Sequence, residues 1–190
     1  DSSYEKAGKE LADASQRYVV PGFYGLDPDG NIKTFTRGGS DITGAILARS
    51  IEAQRYENWT DVSGIYMADP RVAKYAGPVK EITYREMREL ASIGANVFHE
   101  EAIAPVRDVG IPIHIKNTNS PDHDGTTITL SRNADVQRIV GVAAKKPYRR
   151  IVLAKLMLDR YPHVVPGLRQ IIHDHGLYID VVVDAFDSIV

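Results

Sequence analysis

Cysteine is absent from these 190 residues, tryptophan occurs once and methionine three times. Without cysteine there is neither a disulfide framework nor a thiolate metal site. No apolar run approaches the ~18 residues that a membrane-spanning helix needs, and no basic-then-apolar leader opens the chain. Charge of a single sign is scarce too: 23 Lys and Arg against 25 Asp and Glu leave a net −2. That balance creates no field to recruit nucleic acid or an anionic membrane. The expectation is a soluble protein of a reducing compartment, the cytoplasm. What is present is ordinary globular material, 43% hydrophobic and 25% charged, enough chain for one domain or one and a half.

Read in order, Tyr4, Ala7, Leu11, Ala14 and Tyr18 recur at helical spacing. Residues 19–25 read as a short buried strand. Asp27-Pro28-Asp29-Gly30 is a turn, and a returning strand over 31–36 completes a hairpin. A helix over 42–54 and a strand over 55–59 follow, the strand–helix–strand order of a crossover in an open α/β sheet. The lone Trp59 is expected in the core. Thr83 and Glu86 form a capping-box pattern that starts a helix over 84–92, stopped by Gly94. A short helix over 100–107, a half-buried strand at Ile111, Ile113 and Ile115, and a closing strand over 126–130 end a first domain at about residue 130. Residues 131–190 form a second region, with a strand over 150–158, a helix over 164–175 capped by Gly176, a strand over 177–184 and another beginning at Asp187.

Two blocks carry chemistry. Arg37-Gly38-Gly39-Ser40-Asp41 is a glycine turn feeding a helix N-terminus, whose open N–H groups and positive dipole end suit an anion. Arg37 adds a bidentate grip for carboxylate or phosphate. Trp59-Thr60-Asp61 through Tyr66 to Asp69-Pro70-Arg71 leaves a strand and offers an acid, an aromatic and a cation. Each has an ordinary reading: a turn plus N-cap for the first, a turn with surface charge for the second. Falling together beyond the carboxyl ends of strands, where open α/β sheets bind ligands, they point to one site. His163, His173 and His175 are close in sequence, but residues two apart on a helix make a poor metal pair, so no metal site is expected.

Arg37–Ala45, Trp59–Tyr66 and Ala68–Arg71 resemble the signature blocks of aspartate kinases, members of the amino acid kinase superfamily. The likeness continues through Tyr84–Leu90, Gly94-Ala95, His99–Val106 and Ile111–Ile113, and weakens after residue 130. It implies an α/β fold: the C-terminal part of an amino acid kinase three-layer sandwich with an open, mostly parallel sheet (1–130), then an incomplete ferredoxin-like ACT regulatory domain (131–190). It implies phosphoryl transfer from ATP, with Mg²⁺, to the side-chain carboxylate of L-aspartate. Arg37, Gly38, Gly39 and Ser40 would hold aspartate and Asp41 would orient the catalytic cations. Thr60, Asp61, Tyr66, Asp69, Arg71, Asn96 and Val97 would line the nucleotide site. L-lysine or L-threonine would be the effector of a homo-oligomer.

Two departures qualify that expectation. The family's phosphate-gripping Lys-Phe-Gly-Gly block does not occur, so the chain is expected to be a fragment without kinase turnover of its own. Asn96 stands where the family often has a lysine. A non-catalytic effector-binding or subunit-interface module is one alternative. Another amino acid kinase is the second.

Overall fold

The computed structural model describes residues 2–13, 15–35, 37–94, 100–144, 149–179, 181–185 and 187–190. The chain divides into two compact units, Asp1–Lys145 and Lys146–Val190.

The first unit opens with α1 (Ser2–Glu10), shorter than its apolar spacing predicts, followed by a hairpin of β1 (Tyr24–Leu26) and β2 (Ile32–Thr34). Both strands are exposed along their length, so the burial expected of the strand over 19–25 is not observed. Helix α2 (Gly39–Ser50) buries Ile42, Ala45 and Ala48. It leads into β3 (Tyr56–Thr60). A two-stranded ribbon of β4 (Ile65–Tyr66) and β5 (Pro78–Val79) comes next, then β6 (Glu81–Thr83) and α3 (Tyr84–Ser92). A 3₁₀ turn and α4 (Ile103–Arg107) precede β7 (Ile113–Asn117) and β8 (Thr126–Thr129).

The main sheet has the order β3-β7-β8-β6. Two of its three pairings are parallel, and β8 turns antiparallel to β7. Strand alternation divides its faces. Ile82, Ile113, Ile115 and Ile128 are fully buried on one and join Ile42, Ala45, Met87, Ile103 and Val106 in a single core. Trp59 lies on the other face, 46% exposed, with its indole N–H donating to Glu57 and the Lys116 ammonium 5.6 Å from its ring. Its expected core position is therefore corrected.

Helix α3 begins as its sequence predicts: Glu86 N–H donates to the Thr83 hydroxyl oxygen and the Thr83 N–H to the Glu86 carboxylate. The same carboxylate receives two bonds from Arg132, at 2.8 and 2.6 Å, while Arg132 also donates to the Gln137 carbonyl. Val142 N–H donates to the Met67 carbonyl and Val140 is buried. These contacts carry the first unit on to residue 145, fifteen residues past the boundary that the change of texture at 130 suggests.

Arg132's hydrogen bonds pull Glu86 down to about 2 from its ordinary 4.5. The pair's contribution to stability is whole above pH 4.5 and fades as acid titrates Glu86 towards 2. Arg132→Ala is expected to lower the Tm at pH 7 by roughly 4–10 °C. Thermal melts from pH 7 to pH 2 check this: the gap to wild type should close at the acid end.

The second unit contains β9 (Leu153–Ala154), α5 (Val164–Asp174), β10 (Asp184–Ala185) and β11 (Ser188–Ile189). Strand order is β10-β11-β9 with both pairings antiparallel. β9 and β10 therefore run the same way with β11 between them and α5 as crossover, a split β-α-β unit. Gly176, in the left-handed region just past α5, ends the helix as expected. The strands are far shorter than the apolar runs that predict them.

Candidate active site

The first block is a helix entrance of a particular kind. Gly38, at φ 63°, is the N-cap of α2 and contributes no side-chain hydrogen bond. A residue with a Cβ adopts that conformation only under strain. Ser40 and Asp41 therefore lie inside the first turn, which corrects the expectation that they cap it. The first N–H closing an intrahelical bond is that of Ile42, to the Gly38 carbonyl. Among the described residues the amides of Gly39, Ser40 and Asp41 meet no acceptor and are the helix's open donors, concentrated at its positive end. Arg37 and Ser40 are exposed beside them.

Asp41 is held from the sheet. Asn58 Nδ2 donates to Asp41 Oδ1 at 2.9 Å and to the Tyr56 hydroxyl oxygen at 3.2 Å. The Tyr56 hydroxyl donates to the Asp41 carbonyl at 3.2 Å. Tyr56, Asn58 and Thr60 alternate along β3 and share its half-buried face. The contact thus ties the N-terminal turn of α2 to the first and middle residues of β3. Burial pushes the Tyr56 phenol up; the Asn58 hydrogen bond works against this and the Asp41 charge adds to it.

Close packing makes that contact possible. A Cβ on Gly44 would lie 2.7–2.9 Å from the hydroxyl oxygen and two ring carbons of Tyr56. Gly44→Ala is expected to cost about 1–3 kcal/mol by overpacking and to move Tyr56 off Asp41. Urea denaturation together with the Tyr56 absorbance titration checks both effects.

Beyond β3, the Thr60 hydroxyl donates to Asp61 Oδ1 at 3.3 Å, and Thr60's carbonyl accepts the Thr118 N–H at 2.8 Å. Asn117, at the end of β7, donates to the Ser63 hydroxyl at 2.7 Å and accepts the Asn119 N–H at 2.9 Å. The loops leaving β3 and β7 are therefore stitched together at one end of the sheet. Tyr66 is half-buried in β4. Arg71 folds back on its own turn, its guanidinium making three contacts with the Asp69 carboxylate. That pairing holds Asp69 below the usual carboxylate range. Asp41 and Arg71 share no hydrogen-bond partner among the described residues. Asn96 and Val97 lie outside the described residues.

The structure thus joins Asp41 to β3 and places Thr60 and Asp61 at the end of that strand. Arg71 and Asp69 form a separate ion pair. Sequence reasoning missed Tyr56, Asn58, Asn117 and Ser63. The available signal was polar side chains at the alternating inward positions of a half-buried strand, where apolar residues are the rule. A cleft of about 650 Å³ lined by Tyr4, Arg49, Glu52 and Ile111 adjoins the other end of α2. It is distinct from this site.

Residues 2–117 match the amino acid kinase family. Aspartokinase 3 of Bacillus subtilis is 40% identical over 170 residues, which are 90% of this chain and 37% of that protein. The crystal structure of Clostridium acetobutylicum aspartate kinase superposes with a TM-score of 0.88 at 41% identity, over 98% of this chain and 43% of that one. E. coli aspartokinase III has been solved with lysine and aspartate, and with aspartate and ADP. The first complex gives a TM-score of 0.65 at 29% identity, over 88% of this chain and 38% of that one. This chain spans less than half the length of each of these proteins.

Proposed function

This chain belongs to the amino acid kinase family, and from that premise we propose that the protein at its full natural length, rather than these 190 residues alone, phosphorylates the side-chain carboxylate of L-aspartate with ATP. A carboxylate oxygen of aspartate attacks the γ-phosphorus, the bond to the β–γ bridging oxygen breaks, and aspartyl phosphate and ADP leave. The observation that carries the reading is the seat of Asp41: a carboxylate fixed by Asn58 beside the open amides of Gly39–Asp41.

Each group has a role in that chemistry. Arg37 and the Gly38–Ser40 turn hold aspartate, the guanidinium by charge-assisted bonds and the turn by N–H donors. Asp41 orients the cations around the moving phosphoryl, because such transfer is mostly positioning and charge neutralisation. Thr60, Asp61, Tyr66, Asp69 and Arg71 form the nucleotide side. No cage of three or more acidic or histidine side chains occurs among the described residues. The donor set fits Mg²⁺ only as an ion carried mainly by ATP phosphates and touched by one carboxylate such as Asp41. When bound, it neutralises phosphate charge.

The split β-α-β unit supports a second role for residues 146–190, as an ACT-type effector module for L-lysine or L-threonine within a homo-oligomer. Its exposed Val181 and Tyr178 favour self-association.

Melting the protein with ATP-Mg, L-aspartate, L-lysine and L-threonine in turn separates these roles, since a ligand of the folded form raises the Tm. A rise with L-aspartate or ATP-Mg is expected. A rise with lysine or threonine alone would leave only the regulatory role.

A further inference from the structure

We propose that Asn58 is a positioning residue: its amide fixes the Asp41 carboxylate for phosphoryl transfer, and Tyr56 fixes the amide. The inference rests on the reading of the Asp41 site given above.

The polarity of the network leaves one arrangement. An ionised carboxylate only accepts, so Asn58 must turn Nδ2 towards Asp41; the flipped amide would set two oxygens against each other. The Tyr56 hydroxyl directs its proton to the Asp41 carbonyl, which leaves its oxygen lone pair for the second Nδ2 hydrogen. Both Nδ2 hydrogens of Asn58 and the Tyr56 hydroxyl proton are matched within the ring Asp41–Asn58–Tyr56, and Gly44 lets the Tyr56 ring lie against α2 to close it. The amide holds Oδ1 alone, so Oδ2 stays available to ligand cations. Asn58 occupies an inward strand position between Tyr56 and Thr60, where an apolar side chain would pack as well. Its polar head is explained by the carboxylate it orients.

The test uses the protein expressed at its full natural length, with kcat, both KM values and the Tm measured for Asn58→Asp, Asn58→Leu and Tyr56→Phe. Asn58→Asp keeps the shape and exchanges the donor for a charge. At pH 8 its kcat is expected to fall roughly 10- to 100-fold, with both KM values within about threefold of wild type. Among the described residues, the titratable groups hydrogen-bonded to Asn58 are Asp41 from α2 and Tyr56 from β3. As pH falls towards 5, an acid at position 58 takes up a proton and can donate to Asp41, so the deficit of Asn58→Asp should narrow. Asn58→Leu should show the same loss without narrowing. Tyr56→Phe keeps the carboxylate contact and should lose only about two- to fivefold.

A kcat within twofold of wild type for Asn58→Asp overturns the proposal, as does a pH-independent deficit or a loss confined to KM. If Asn58→Leu fails to fold, its Tm reports that and the isosteric Asp variant decides. A wild-type protein that forms no aspartyl phosphate removes the kinase reading itself, and this role with it.

Discussion

Asp41→Asn is expected to lower aspartyl phosphate formation by roughly 10²- to 10³-fold, with the Tm unchanged. Asparagine is isosteric and its Oδ1 still accepts from Asn58, so the helix entrance and the contact with β3 survive. What disappears is the negative charge that holds cations against the transferred phosphoryl. Such a charge matters more in the transition state than in the ground state, and the loss should therefore appear in kcat with little change in either KM. Steady-state kinetics of the protein at its full natural length, with a coupled ADP assay, measure it. A loss below about fivefold would reduce Asp41 to a structural contact of α2.

Arg37→Ala is expected to raise the KM for L-aspartate by roughly 10²-fold while the KM for ATP stays put. Arg37 is exposed at the mouth of the α2 entrance. Among the described residues no carboxylate pairs with it, whereas Arg71 is already held by Asp69. A guanidinium in that state has its fork available for a substrate carboxylate. Arg37→Lys should recover the charge without the bidentate geometry and land between the two. Equal KM changes for both substrates would place Arg37 outside the aspartate side.

Where local chemistry decides structure, the sequence could be read closely. Thr83 and Glu86 form the capping box their spacing implies, α3 covers the residues assigned to it, and Gly176 ends α5. Alternation at Ile113 and Ile115 identifies β7 because one sheet face is buried. Long-range pairing decided the rest. Nothing local to Arg132 says that it will meet a carboxylate forty-six residues earlier, and that meeting moves the unit boundary to 145. The strand over 19–25 reads as buried, yet Phe23 and Tyr24 are 46% and 44% exposed. Composition reports that a residue prefers burial and does not report what covers it. Ser40 and Asp41 have the residue types of a cap, but the left-handed Gly38 takes that position first.

The candidate site followed the same division. Its two loops were legible as motifs because turn glycines and strand ends leave a local record. The clasp from the first loop to β3 was not, since Tyr56 and Asn58 make sense only once α2 lies across β3. Arg71's pairing with Asp69 was equally hidden, although the two are two residues apart.

The most direct test of the aspartate kinase reading is chemical trapping of the product. The protein at its full natural length is incubated with ATP-Mg and each of L-aspartate, L-glutamate and N-acetyl-L-glutamate, and any acyl phosphate is captured with hydroxylamine. The hydroxamate of L-aspartate alone, formed with an equal amount of ADP, is the expected result. Hydroxamate from another acceptor, or ADP released without any, would contradict the account.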